Sequence, residues 1–320
     1  MGGGGMRAPM LVALLLLPAL AGCLEGPRTA SEIEAEEGLI APPWEVGDWW
    51  LYTFVTPEFG EDSARLVVAD EDPVDGQWML GISSEREAMR HAVVNHNPFL
   101  GRVTMDALSV YENGEAQRVF SFPFERDDTW SFTLFAQDWT ATTTLVDRGV
   151  ATVVATSGDG HDLRYTMDGG VGFLRDLTWT DPAGVDRLRM VLAGSGDGHE
   201  GQVHFLRATD LFADVYTDSD AEFRDSFLDE GHPSGVGFDR LVWYLDVDIA
   251  AGGSGSLVLR DHTSASPLSR AWGAGSAERG AVGSIPSVSG EYQLTATVQG
   301  GGSHVEVRLA GAISQSWTLG

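Results

Sequence analysis

From Trp44 onward, the dominant period of the apolar residues in this 320-residue chain is two, and that period limits what the chain can fold into. Successive side chains of an extended strand point to opposite faces, so a period of two buries one face and leaves the other wet. Trp50, Tyr52 and Phe54 alternate with Leu51 and Thr53, and Phe120, Phe122 and Phe124 with Ser121 and Pro123. Trp130, Phe132 and Leu134 alternate with Ser131 and Thr133, and Leu188, Met190 and Leu192 with Arg189 and Val191. Each run reads as a half-buried strand. Between them stand Asp75-Gly76, Asn113-Gly114, Asp159-Gly160, Asp168-Gly169 and Ala183-Gly184, the residue pairs that tight turns demand. Few helical patterns intervene, so an antiparallel meander is expected rather than βαβ units. One helix is expected over 84–94, where Ser84 and Glu87 make a capping box ahead of Ala88, Met89, Ala92 and Val93.

A second β-rich region begins near 205–220. Leu241, Trp243, Leu245, Val247 and Ile249 face one way, against Val242, Tyr244, Asp246 and Asp248. Leu257 and Leu259 follow a glycine-rich turn. Tyr292, Leu294, Ala296 and Val298 are expected to pair with Val305, Val307 and Leu309 as a hairpin across Gly300-Gly301-Gly302. The stretch 262–289, rich in Ser, Gly and Ala, reads as loop with one or two short strands. Gly290-Glu291-Tyr292-Gln293-Leu294 resembles the final hairpin of small extracellular β-sandwich modules, such as the pre-peptidase C-terminal and GOLD-like jelly rolls. The expected fold is therefore mainly β: an aromatic-rich curved antiparallel sheet or meander over 44–204, then a jelly-roll-like C-terminal sandwich over 205–320.

The N-terminus reads as a targeting segment. Arg7 precedes an apolar run from Met10 to Leu20, broken only by Pro18. The run is shorter than the ~20 residues that a membrane span needs, but fits the apolar core of a secretory signal. It ends in Leu20-Ala21-Gly22-Cys23, which resembles the lipobox of prokaryotic membrane lipoproteins. That resemblance implies removal of residues 1–22 and diacylglyceryl alkylation of Cys23, the only Cys of the chain. Residues 23–43 carry Glu25, Glu32, Glu34, Glu36 and Glu37 and close on Pro42-Pro43, an acidic tether. Trp44-Glu45-Val46-Gly47-Asp48-Trp49-Trp50-Leu51-Tyr52, with Asn97-Pro98-Phe99-Leu100-Gly101, Phe122-Pro123-Phe124 and Gly170-Val171-Gly172-Phe173-Leu174, resembles uncharacterised archaeal surface lipoproteins. The likeness implies location and architecture, and no activity.

Charge narrows the partners. With 47 acidic and 20 basic residues, all of them Arg, the net charge is −27. A surface of that sign repels phosphate backbones, so nucleic acid is not an expected partner. Acidity of this kind suits a saline habitat, where salt screens self-repulsion. A lone Cys excludes an internal disulfide and any Cys-rich metal cluster.

Searching for chemistry yields candidates rather than a motif. His91 and His96, five apart, lack the i, i+3 or i, i+4 spacing of a helical ligand pair, and read as partly exposed imidazoles. Ser157-Gly158-Asp159-Gly160-His161-Asp162 and Ser195-Gly196-Asp197-Gly198-His199-Glu200 are near-copies without the oxygen ladder of a Ca²⁺ loop, and read as two hairpin turns. Asp214, Asp218, Asp220 and Asp225 form the densest acidic run and are the weak candidates for a divalent ion such as Ca²⁺; no resident cofactor is expected beyond the lipid on Cys23. Nucleophile motifs and phosphate loops are absent from the sequence. Trp49, Trp50, Trp130 and Trp139 are the candidate ligand-binding residues, because Trp on an open sheet can stack on a sugar or line an apolar groove. Adjacent strand residues face opposite ways, so one of Trp49 and Trp50 must leave the principal core.

The expected protein is a lipid-anchored, extracytoplasmic binding or scaffold module without catalysis, with a glycan, peptide or envelope protein as partner. An acidic, glycan-directed hydrolase using a pair of carboxylates is the alternative. Cys23→Ser is expected to move the protein from the membrane fraction to the soluble fraction. Retention of the variant on membranes through a detergent-free wash would contradict the anchor.

Overall fold

The computed structural model describes residues 38–95, 97–219 and 222–320. The signal peptide, Cys23, the tether up to residue 37, His96 and Asp220 lie outside the described residues. The strands in chain order are β1 (Trp49–Thr56), β2 (Gly60–Asp72), β3 (Gln77–Ile82), β4 (Gly101–Thr104), β5 (Val110–Glu112), β6 (Glu115–Gln117), β7 (Thr129–Leu134), β8 (Gln137–Asp147), β9 (Val150–Ser157) and β10 (Asp162–Asp168). They continue as β11 (Phe173–Thr180), β12 (Asp186–Gly196), β13 (Gly201–Thr217), β14 (Glu222–Asp229), β15 (Arg240–Asp248), β16 (Ser254–Arg260), β17 (Leu268–Trp272), β18 (Ala277–Pro286), β19 (Gly290–Gln299) and β20 (His304–Leu319). Among the described residues there is one α-helix, α1 (Glu85–Arg90), which follows β3 with Ser84 as its N-cap accepting from Glu87 N–H, and runs on into a π-helical turn, His91–Asn95. Fold class is thus mainly β, a curved antiparallel sheet with one short helix followed by a sandwich.

The strands β7 to β12 form a meander, and β1, β2 and β3 continue the same sheet beyond β12. All five turn pairs read from the sequence connect neighbouring strands of it. From β3 the sheet turns back through β4, β5 and β6 until its ends meet: Thr133 N–H of β7 donates to the Gln117 side chain of β6 at 2.9 Å, and Ala136 N–H to Glu112 at 2.6 Å. The concave side encloses Trp50, Tyr52, Phe54, Phe99, Phe120, Tyr165 and Phe173, all buried. Phe173 sits at the centre, edge-on to Trp44, Tyr52, Phe99 and Phe120 at centroid distances of 5.2 to 6.3 Å.

Irregular chain runs through this interior, and its carbonyls need donors, because an unpaired buried carbonyl costs about 1–3 kcal/mol. The aromatic residues supply them. Trp44 Nε1–H donates to Gly172 O at 2.8 Å, Trp50 Nε1–H to Val171 O at 2.6 Å, and Tyr52 O–H to Leu174 O at 2.6 Å. Tyr165 O–H reaches Val119 O at 2.5 Å, and Trp139 Nε1–H reaches Leu134 O at 2.8 Å.

The run Phe120–Phe124 is not the strand its alternation suggests. Phe120 and Phe124 are buried, but among the described residues the backbone pairing there is limited to an isolated bridge from Phe124 to Leu39. Pro123 has no N–H to give to a ladder, and the segment serves instead as filling for the barrel-like interior.

The sandwich packs the sheet β18-β15-β20-β13 against the sheet β14-β19-β16-β17. Leu241, Leu245, Val247, Val305 and Val307 from the first meet Leu257, Leu259, Tyr292, Leu294 and Val298 from the second. The expected hairpin of β19 with β20 is not formed. β19 pairs with β14 and β16, whereas β20 pairs with β13 and β15, so the chain crosses from one sheet to the other at Gly300–Ser303. Both strands alternate because both face the same core; alternation records burial and not the neighbouring strand.

One sheet passes through both regions. β13 meets β3 at the pair His204↔Ile82 and lies along β20 for nearly its whole length. Residues 204 and 205 fall inside β13. On the face of β15 and β20 turned from the sandwich core, Val242, Tyr244, Ala310 and Ala312 join the first core, beneath α1. Arg90 of α1 pairs with Asp62 and lies 5.9 Å from the Tyr244 ring, and Arg240 of β15 pairs with Glu85 at 2.5 Å.

Burial pushes the hydroxyls of Tyr52 and Tyr165 well above the usual phenol range. Tyr244 is pushed up to about 12, by burial first and then by Asp246. The native protein therefore keeps protons that the unfolded chain releases near pH ~10, and stability present below that pH is lost as pH rises through it. Tyrosinate absorbance and near-UV circular dichroism are expected to change together in one alkaline step. Titration of these hydroxyls in a protein that keeps its near-UV signal would contradict the buried network.

Candidate functional site

A cleft of about 1190 Å³ lies where the mouth of the curved sheet meets the long strands. Its position follows from two glycines. A Cβ on Gly81 would stand 2.7 Å from Val203 Cγ1 and 2.8 Å from His204 O, so only glycine lets β3 come against β13 there. Gly101 adopts φ +89°, and a Cβ on it would stand 2.8 Å from the Phe205 ring, so glycine also seats that ring at the cleft wall.

The floor is apolar and buried: Ile82 of β3, Ala88 of α1, Ala92 of the π turn and Leu206 of β13. Residues Asn97 to Arg102, the β5–β6 turn at Asn113-Gly114, β20 at Ile313–Gln315 and the loop at His232–Ser234 complete the walls. A smaller recess of about 210 Å³, lined by Glu85 and Arg240, shares His204, Leu206, Ser314 and Gln315 with it.

The polar groups here are mostly donors. Arg102 is exposed and its guanidinium lies 4.4 Å from the Tyr111 ring centroid; the Tyr111 hydroxyl in turn accepts from Gln77 Nε2 at 2.9 Å. Arg207 is exposed on β13. His232 Nδ1 accepts from Ser234 N–H at 3.1 Å and lies 2.7 Å from Ser234 Oγ, which assigns the proton of the neutral ring to Nε2. Burial, and then the charge of Arg207, lowers the His232 pKa and favours that neutral form. Asn97 is only 8% exposed. Its Oδ1 accepts from Phe99 N–H at 3.0 Å, fixing the amide orientation, while Nδ2 is buried with no hydrogen-bond partner among the described residues. The two carboxylates of the cleft and its recess are engaged: Glu112 takes the Ala136 N–H, and the Arg240 hydrogen bond holds the Glu85 carboxyl below its usual pKa.

The four tryptophans proposed from sequence are not brought together, and none lines the cleft. Trp50 and Trp139 are core residues, 2% and 1% exposed. Trp130 is half-buried beside Phe124, at a centroid distance of 6.0 Å. Trp49 is the one that leaves the principal core. It packs with Val67, Ala69, Val203, Trp317 and Leu319 on the opposite face of the sheet, under the guanidinium of Arg65 at 4.5 Å.

Among the acidic candidates, Asp214 is exposed and accepts from Val215 N–H, while Asp218 is exposed and donates its N–H to Ser303 O. Asp225 accepts from the Tyr216 hydroxyl at 2.6 Å. Among the described residues no three His, Cys, Asp or Glu side chains are placed to hold a metal. His91 is not partly exposed as its neighbours in sequence suggest; it is buried, 4.9 Å from the Phe54 ring. It caps the C-terminal end of α1, where the chain enters the π turn against the core. Of the near-copied glycine loops, 157–162 is the β9–β10 turn. The loop 195–200 instead leads from β12 to β13, and His199 N–H donates there to Gly47 O at 2.9 Å.

No protein-family model matches the chain, and no curated protein matches it. Among solved structures, it is similar to a glycoside hydrolase family 43 arabinoxylan arabinofuranohydrolase from Bacillus subtilis, with 7% identity, a TM-score of 0.17, and coverage of 79% of this chain and 64% of that one. The chain thus spans slightly less than two thirds of that protein's length. An exo-β-1,3-galactanase from Phanerochaete chrysosporium matches at 5% identity and a TM-score of 0.19, covering 78% of each chain. The glucan-locus protein SGBP-B of Bacteroides ovatus, in complex with a mixed-linkage heptasaccharide, matches at 8% identity and a TM-score of 0.15, covering 82% of this chain and 89% of that one.

Gly101→Ala tests the wall. The left-handed φ and the displaced Phe205 ring are expected to cost about 1–3 kcal/mol together in urea unfolding. An unchanged unfolding midpoint would contradict the packing described.

Proposed function

We propose that this chain is an extracytoplasmic binding protein, held at the outer face of the cell membrane by lipid on Cys23, that takes its ligand in the cleft between β3, α1 and β13. The observation that carries this reading is the cleft itself: a recess of about 1190 Å³ with a buried apolar floor and a few polar groups, set at the junction of two packed regions. Ligand sites have that composition and favour such junctions. Its walls stand on strands and on a capped helix pinned by Arg90 and Arg240, so the site is formed before a ligand arrives.

Binding is favoured over hydrolysis because Glu112 and Glu85 are already committed to protein donors. A general acid and a base or nucleophile both need oxygens directed at substrate.

Ala208→Trp fills the cleft from β13 at a half-buried position. Panels of glycans, peptides and small amphiphiles can be titrated against both forms while thermal stability is followed. A ligand that stabilises the parent protein is expected to lose its effect in Ala208→Trp; an undiminished effect in a variant that melts normally would place binding elsewhere.

A further inference from the structure

We infer that the ligand of this cleft is a small organic anion with an apolar body, its carboxylate taken by the guanidinium groups of Arg102 and Arg207. The inference rests on the cleft being the binding site, and adds the chemistry of what enters it.

Three observations carry it. First, the buried lining of Ile82, Ala88, Ala92 and Leu206 is aliphatic, and the Tyr111, Phe135 and Phe205 rings add apolar surface beside it, which together suit a ligand with an apolar body. Second, both arginines on the wall are exposed, and among the described residues neither forms an ion pair with a carboxylate. Two guanidinium groups lining one recess, Arg102 resting on the Tyr111 ring and Arg207 beside it in the lining, can turn their N–H donors to an external anion. Third, Asn97 is more than nine-tenths buried in the wall, and among the described residues its Nδ2 meets no acceptor. A buried unmet donor costs about 1–3 kcal/mol, and an acceptor atom on a ligand would relieve it. His232, with its proton on Nε2, adds a further donor of the same sense. The wall therefore offers hydrogens and positive charge to an acceptor-rich group, above a floor that asks for hydrocarbon.

The overall charge of −27 makes the inference sharply testable. Non-specific attraction to this protein favours cations, so a preference for an anion must come from a local site. The full chain carrying Cys23→Ser, which keeps acyl chains and detergent out of the experiment, is titrated calorimetrically with three probes of one chain length. They are decanoate, decyl glucoside and decyltrimethylammonium, each below its micelle threshold. Decanoate is expected to bind at least tenfold more tightly than the other two. Arg207→Gln, at an exposed position, is expected to weaken decanoate binding at least fivefold and to leave decyl glucoside unchanged. Asn97→Asp keeps the acceptor for Phe99 N–H while replacing the unmet donor with an oxygen; it is expected to weaken decanoate at least tenfold.

Equal binding of all three probes, abolished by Ala208→Trp, would overturn the inference while leaving the cleft as the site. Preference for the ammonium, or no binding of decanoate, would also overturn it. Decanoate binding that survives Ala208→Trp would instead remove the cleft from both readings.

Discussion

The ladder between β13 and β20 sets the arrangement of everything else. Both strands exceed what a single small sheet requires, and they pair from Gly201↔Leu319 at one end to Thr217↔His304 at the other. One end of this ribbon belongs to the sandwich, where Val305, Val307 and Leu309 face its core. Farther along, Ala310 and Ala312 belong to the aromatic core, and Trp317 and Leu319 cover Trp49 on the outer face. A β-ribbon this long twists along its length, so its two ends present differently oriented faces to two packing partners. The cleft is the space left where β3 meets β13 at a single residue pair before the strands part.

The second constraint is polar. A curved sheet filled by irregular chain encloses backbone carbonyls that no ladder can reach. Leucine and valine could fill the same volume, but they would leave Val119, Val171, Gly172 and Leu174 without donors. Tyrosine and tryptophan fill space and donate a hydrogen bond from the same side chain. This explains why the first region spends its large aromatics inside, when its Trp content could equally have furnished an open sugar platform.

Much of the architecture was legible in the sequence because it depends on local chemistry. The period of two located the strands, turn residues located the meander connections, and Ser84 with Glu87 located the helix start. The opposite facing of Trp49 and Trp50 also follows from strand geometry alone. Pairing was not legible. Tyr292–Val298 and Val305–Leu309 alternate as hairpin partners would, and only the three-dimensional course shows that they sit in different sheets. Phe120–Phe124 alternates without being a strand, because the pattern reports burial and Pro123 forbids a ladder.

The site was hidden for a different reason. Asn97, Arg102, Arg207 and His232 are spread across more than a hundred residues and belong to no shared motif; proximity arises only once β13 has crossed beneath β3. Asn97 stood in a segment noted for its resemblance to surface lipoproteins, but nothing in that segment distinguishes a ligand donor from a turn residue. The Trp side chains gave the stronger compositional signal, and their role in carbonyl satisfaction depends on where the turn at 171–174 folds inward.

Native-state hydrogen exchange tests the central role of the long ribbon most directly. If β13 and β20 tie the aromatic core to the sandwich, amides of Leu206 to Thr209 and Gly311 to Ile313 exchange only through the same global opening that exposes Tyr52 and Leu257. The alternative result is an aromatic region and a sandwich that open independently, with the ribbon amides exchanging faster than either. That would contradict the account and leave the cleft a loose gap between two separate bodies.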